Sequence, residues 1–341
     1  MKKRIVLALL LIACSMVLLA PSHSQAQGKV ITLKFATFVT PLHWVSISLE
    51  NWCKEVEKRT NGRVKVTMFH ANTLAPAPQI YDAVTKGIAD IGYASISYTQ
   101  GRFPMTEVVG LPLGYKSAVA ATGMTNEYLK KFKPKEFDAV HVMWLQAHGP
   151  GILHTTKKPV YKLDDLKGLK IRSTGTSSRV AAALGASPVG MPMSEAYDAL
   201  SRGIVEGILA PIEAMKSWKL GETVSYHTED YGAGYSDCLY IIMNKEKWDG
   251  LPADIKPILD KLNGEWLDRD AKGWDDADKE GREFVLKRGS KIITLSSEEN
   301  ARWAEKVKPL LEEYVKNTKA KGLPGDEVLK FCQDYLKANQ K

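Results

Sequence analysis

Apolar residues along this chain recur in two alternating rhythms. Val30 to Ala36 (Val-Ile-Thr-Leu-Lys-Phe-Ala) reads as a strand. From Trp44 to Arg59, Val45, Leu49, Trp52 and Val56 follow at spacings of four, three and four, which puts them on one face of a helix. Asn61-Gly62 ends that helix, and Val64, Val66 and Met68 then alternate with Lys65 and Thr67 as a second strand. A proline-rich loop (Leu74 to Pro78) leads to a short helix through Ile80 and Val84, closed by Gly87, and Ile91-Gly92-Tyr93-Ala94 is a third strand. This β-α-β-α-β order implies a mostly parallel sheet covered by helices.

The alternation returns further on without an obvious sequence repeat. Leu169–Ser173 predicts a strand, Ser177–Leu184 a helix ended by Gly185, and Ser187–Met191 an extended run. Ser194-Glu195 through Ser201 predicts a helix opened by a serine cap. Val205–Leu209 follows as a strand, Ile212–Val224 as a helix and Leu239–Met243 as a buried strand. Beyond Pro252, Ile255, Ile258, Leu259, Leu262 and Trp266 form one apolar face, and the pattern runs on through Trp274, Ala277, Phe284 and Val285 to about Gly289. Such a helix would reach roughly 50 Å, long enough to link two domains. Gly264, Gly273 and Gly281 interrupt it, so a curve or kink is expected. Lys291–Leu295 is a strand, and helices finish the chain.

The N-terminus follows different rules. Lys2, Lys3 and Arg4 precede an apolar run from Ile5 to Leu19, and Ser24-Gln25-Ala26 fits small-x-small cleavage. Residues 1–26 are therefore expected to be an export signal and the protein periplasmic. Leu11-Ile12-Ala13-Cys14 also fits the pattern before a lipid-modified cysteine, but the apolar run continues past Cys14, which favours simple cleavage. The full chain carries +8, and removing three basic residues leaves 8 − 3 = +5. That excess is scattered, which argues against nucleic-acid binding. Cys53, Cys238 and Cys332 are far apart, with no CxxC or Cys/His cluster, so neither zinc nor redox chemistry has support. About 315 mature residues suggest two domains.

No nucleophile elbow, P-loop, zinc-protease motif or dinucleotide fingerprint is present. His148 and His154 lack helical ligand spacing, and the acidic clusters Asp164-Asp165, Asp275-Asp276-Asp278 and Glu298-Glu299 read as helix-start charges and solvated faces. An exported α/β protein without catalytic residues favours ligand binding over an enzyme. Arg172 is the informative charge. It ends the Leu169–Ser173 strand just before a turn and a helix start, where a planar guanidinium can meet a carboxylate bidentately.

Three blocks carry a resemblance. One is Leu33-Lys34-Phe35-Ala36 with Trp52–Glu57, Thr60-Asn61-Gly62-Arg63 and Gly87–Gly92. The second is Asp165–Arg172 with Gly185-Ala186-Ser187-Pro188 and Ser194–Leu200. The third is Val205-Glu206-Gly207 leading to Pro211. In this order the chain resembles the periplasmic solute-binding subunits of TRAP (tripartite ATP-independent periplasmic) transporters, of the dicarboxylate-binding-protein type. The resemblance implies a two-lobed α/β clamshell whose sheets are mostly parallel and flanked by helices, with a long helix spanning both lobes. It implies an organic acid whose carboxylate meets Arg172, a monomeric receptor, and small and large membrane permease subunits as partners. On this reading 29–150 plus 236–280 form lobe I, and 151–235 plus 281–341 form lobe II.

The chain departs from the sialic-acid-binding branch of that family. Leu153 stands where that branch has a second arginine, Ala210 and Phe38 stand at amide positions, and Ser95 stands at an acid position. Some relatives hold a metal through a glutamate near the position of Ala210, so no metal or other cofactor is expected. One carboxylate anchor beside apolar walls (Phe38, Trp44, Tyr98, Met193, Trp218) suits an aromatic or branched monocarboxylate, or a 2-oxo acid. Ser95, Ser97, Tyr98, Gln146 and His148 are the expected polar contacts from the other side. A sensor module for a membrane kinase and an enzyme on a similar fold are the competing readings.

Overall fold

The computed structural model describes residues 30–340. The predicted export segment, Cys14 included, lies outside the described residues. Eleven strands are described: β1 (Ile31–Thr37), β2 (Val64–Phe69), β3 (Ile91–Ser95), β4 (Val140–Ala147), β5 (Gly151–Thr155), β6 (Lys170–Ser173), β7 (Ser187–Gly190), β8 (Gly207–Pro211), β9 (Tyr226–Glu229), β10 (Cys238–Asn244) and β11 (Lys291–Thr294). They form a five-stranded sheet, β2-β1-β3-β10-β4, and a six-stranded sheet, β11-β9-β5-β8-β6-β7.

The pairings make each sheet mostly parallel. β1 runs parallel to β2 and β3, and β10 alone runs against its neighbours β3 and β4. In the second sheet β5 alone is reversed, pairing antiparallel with β8 and β9. Both reversed strands come directly after the chain crosses from one sheet to the other. Reversal brings the start of each of them to the edge where the neighbouring strands end.

The alternation of side chains builds the second lobe's two layers. On β5 and β8, Leu153 and Leu209 pack into one apolar cluster while Ile152, Ile208 and Ala210 pack into another. The first lobe has one larger core, with Phe35, Trp52, Tyr93 and Trp144 fully or almost fully buried.

One unbroken helix, Lys256–Lys287, joins the lobes. Its Leu259, Leu262, Trp266 and Trp274 belong to the first core and its Val285 to the second lobe. Its length is about 48 Å at about 1.5 Å per residue. Two of its three glycines allow close approach. A Cβ at Gly273 would lie 2.6 Å from the Trp44 ring, and one at Gly281 would lie 2.4 Å from the Ile212 carbonyl oxygen. The acids on this helix also depart from expectation. Asp275 accepts from the backbone N–H groups of Ala118 (2.6 Å) and Val119 (3.2 Å), capping the Ala118–Phe132 helix. Asp278 accepts from Glu213 N at 3.0 Å. Within the Asp275-Asp276-Asp278 cluster only Asp276 is exposed.

Three further expectations change. Ile212–Val224 is a single short turn of helix (Ala214–Ser217) and a 3-10 turn (Leu220–Glu222), separated where Lys219 takes a left-handed conformation. Ser194 does not cap its helix, because a 3-10 turn (Met193–Glu195) precedes it and its hydroxyl accepts from Asn72 across the cleft at 3.4 Å. The last helix, Gly325–Asn339, was assigned to lobe II, yet its Val328, Leu329, Cys332 and Leu336 complete the lobe I core. Its apolar stripe is plain in sequence, but the lobe it returns to is not.

Candidate functional site

Strand ends from both sheets face one another across a cavity with about 600 Å³ of empty space. Phe38 follows β1, Ser95 ends β3, Arg172 lies near the end of β6, and Ala210-Pro211 ends β8. The reversed β10 contributes its start, so Asp237 reaches the same edge. Ligands of open α/β sheets bind at such carboxyl ends.

Arg172 is 3% exposed and held from one side. Its Nε and Nη2 donate to the Met191 carbonyl at 3.0 and 2.8 Å. The opposite edge, Nη1 with the second Nη2 proton, is the pair that can grip a carboxylate. Tyr98 Oη accepts from Met193 N at 3.3 Å, bridging the lobes. Burial raises the Tyr98 pKa, and the Arg172 charge partly offsets this. Asp237 accepts from Ser97 Oγ at 2.7 Å and from Ser95 Oγ. Burial pushes its pKa up to about 6, while the serines, the Cys238 N–H and Arg172 pull it back. Ser95 Oγ also accepts from Ser97 N at 2.9 Å, which shapes the turn after β3.

Aromatic rings make the walls. Phe38 lies near-parallel to Tyr93 (5.6 Å, 12°) and to Trp218 (5.9 Å, 14°), and edge-on to Tyr98 (5.4 Å). His148 stands edge-on to Tyr235 at 5.6 Å, and its Nδ1 donates to the Gly149 carbonyl at 2.6 Å. Burial lowers the His148 pKa to about 4, so its ring is neutral near pH 7. Met193 and Ala210 also line the cavity.

Two expected site residues lie behind the wall. Trp44 packs edge-on against Trp274 (5.0 Å, 90°) and over Gly273. Gln146 uses its whole amide internally: Oε1 accepts from Trp274 Nε1 (3.1 Å) and Tyr93 Oη (3.4 Å), and Nε2 donates to Asp270 (2.6 Å). Both residues position wall rings and do not line the cavity.

A model of the bacterial extracellular solute-binding proteins, family 7, matches residues 35–317. The chain belongs to this family. A TRAP solute-binding protein from Rhodoferax ferrireducens T118, in complex with copurified benzoate, is 32% identical, with a TM-score of 0.85 over 91% of this chain and 98% of that one. A marine metagenome TRAP solute-binding protein specific for aromatic acid ligands, in complex with metahydroxyphenylacetate, is 29% identical, with a TM-score of 0.87 over 91% and 100%. The C4-dicarboxylate-binding periplasmic protein of Rhodobacter capsulatus is 28% identical over 88% of this chain and 90% of its own length.

In this solute-binding protein the cavity also includes residues that the sequence reading missed: His43, Tyr93, Glu213, Tyr235, Asp237 and Trp274. Asp237 carried a usable signal, because it stands immediately before the apolar run that becomes β10. Tyr93 and Trp274 carried none, because an aromatic residue in a strand or helix reads first as packing.

Proposed function

We propose that this protein is the extracytoplasmic receptor of a TRAP transporter for an aromatic monocarboxylate, which it delivers to a pair of membrane permease subunits. The observation that carries this reading is the combination of one buried guanidinium with a free bidentate edge and walls built from Phe38, Tyr93, Trp218 and Trp274. The carboxylate pairs with Arg172 and Tyr98, and Ser95, Ser97 and His148 furnish polar groups nearby. A second guanidinium, as a dicarboxylate would require, is not among the described residues that line the cavity. Two relatives of similar fold that bind benzoate and metahydroxyphenylacetate support the aromatic assignment.

Residues 30–150 and 236–280, with the last helix, act as one lobe. The remainder acts as the other, which hinges at the two strand crossings and along the Lys256–Lys287 helix. Ligand held by both lobes stabilises the closed form. The test is a thermal-shift screen with aromatic, branched, 2-oxo, dicarboxylic and sugar acids. A ligand at about 100 times its Kd adds about 2.7 kcal/mol. Stabilisation by aromatic monocarboxylates is the expected result. Stabilisation confined to dicarboxylates or sugar acids would overturn the assignment.

A further inference from the structure

His43 and Glu213 line the same cavity, are 1% and 2% exposed, and are not used by the carboxylate end. His43 precedes the Trp44–Arg59 helix, and its Nδ1 accepts from Val45 N at 3.2 Å. An accepting Nδ1 carries no proton, so the neutral ring holds its proton on Nε2. Among the described residues that Nε2–H has no hydrogen-bond partner, and neither has Glu213 Oε2, although the Ser217 and Trp44 side chains lie close enough to the carboxyl to lower its pKa. The two atoms are 3.7 Å apart, too far for a direct hydrogen bond. One oxygen can lie within roughly 2.8 Å of both. Burial opposes an ion pair here, lowering the His43 pKa to about 3 and raising that of Glu213 to about 7.

The His43 ring is fixed as the helix cap, and the backbone of Glu213 is fixed by Asp278, which accepts its N–H at 3.0 Å. The rings order the cavity from one end to the other. Tyr98 touches Phe38, Phe38 touches Trp218, and Trp218 touches His43 (5.4, 5.9 and 5.3 Å between centroids). A chain of ring contacts thus runs from Tyr98, beside Arg172, to His43 of the His43–Glu213 pair.

We propose that His43 and Glu213 form a hydroxyl-reading subsite, and that the ligand is a hydroxylated aromatic monocarboxylate whose hydroxyl accepts from His43 Nε2 and donates to Glu213 Oε2. This inference rests on the aromatic-acid reading above and narrows it. A buried donor and acceptor left without partners penalise an unsubstituted ring, which is how such sites discriminate.

The experiment is calorimetric titration of the whole mature protein with benzoate, phenylacetate, their 2-, 3- and 4-hydroxy forms, and the methoxy analogue of the best hydroxy isomer. One hydroxy isomer is expected to bind about tenfold or more tighter than its parent acid. The methoxy analogue, which accepts but cannot donate, is expected to lose that gain. In His43→Asn, which keeps a cap acceptor, and in Glu213→Met, the hydroxy-to-parent affinity ratio should collapse towards one. The methoxy comparison needs no mutant and stands even if a variant folds poorly. If the parent acids bind and no hydroxy isomer binds tighter, this proposal falls and the aromatic-acid reading survives. The proposal also falls if the preference persists in both variants. If no aromatic acid binds, both fall.

Discussion

Asp230 sits where the chain leaves β9 to return to the first sheet, and it is 1% exposed. Its Oδ1 accepts from Leu153 N at 3.0 Å, and its Oδ2 has no hydrogen-bond partner among the described residues. Burial pushes its pKa from 3.8 up to about 7. Below about pH 3.8 the carboxyl is protonated whether the chain is folded or not, and it does not affect the balance. Between 3.8 and about 7 the unfolded chain loses this proton while the folded chain keeps it, so stability falls as pH rises. A rise of about three pH units at 1.36 kcal/mol each amounts to roughly 4 kcal/mol, reached above about pH 7. Asp230→Asn keeps an acceptor for Leu153 and cannot ionise. Its amide adds a buried donor whose cost, about 1–3 kcal/mol, does not vary with pH. The stability of the variant relative to wild type should therefore climb by roughly 4 kcal/mol between pH 4 and pH 8. Urea denaturation of both ligand-free proteins at matched salt, at each pH unit across that range, measures the difference directly. A difference that stays flat within about 0.5 kcal/mol would refute the reasoning, because the carboxyl would then ionise as freely folded as unfolded.

Three other outcomes are expected. Arg172→Ala should weaken binding of an aromatic acid by about 2–5 kcal/mol, or roughly 30- to 5,000-fold, by leaving the carboxylate unpaired in the cavity; an affinity within about threefold of wild type by calorimetry would contradict the anchor. Gly110→Val should weaken the same ligand by about 1–3 kcal/mol although Gly110 does not line the cavity, because a Cβ there would lie 2.9 Å from Thr176 Oγ1 of the opposite lobe. Unchanged calorimetric affinity would show that the contact at Gly110 is not needed for closure. Cys53, Cys238 and Cys332 are free and buried, and burial raises every one of their pKa values. An aromatic disulfide reagent should therefore find these three thiols only after denaturation, and rapid labelling of the native protein would be inconsistent with their burial.

Local pattern exposed much of the architecture and only one part of the site. The run Leu239–Met243 announces a strand buried on both faces, and β10 is one. Nothing in it says that β10 inserts between β3 and β4, because that pairing depends on where the chain has been two crossings earlier. Arg172 stood out by its place near a strand end before a helix start together with the sequence blocks around it, and it lines the cavity. Trp44 and Gln146 were misread for a related reason: their types suit a binding site, but the long helix claims both through Trp274 and Asp270. The importance of His43 depends on Glu213, 170 residues away in sequence (213 − 43). A pair assembled across two lobes leaves no local trace.

The place of β10 in the first sheet also governs when the protein can acquire structure during its manufacture. β4 ends at Ala147 and its neighbour β10 begins at Cys238, 91 residues later (238 − 147). At roughly 5–20 residues per second of synthesis, β3 and β4 wait about 5–20 s for the strand that pairs them. The helix that closes the same core, through Cys332 and Leu336, comes last of all. The first lobe to leave the ribosome is thus the last to be completed. Until that helix is made, the lobe I core lacks Val328, Leu329, Cys332 and Leu336.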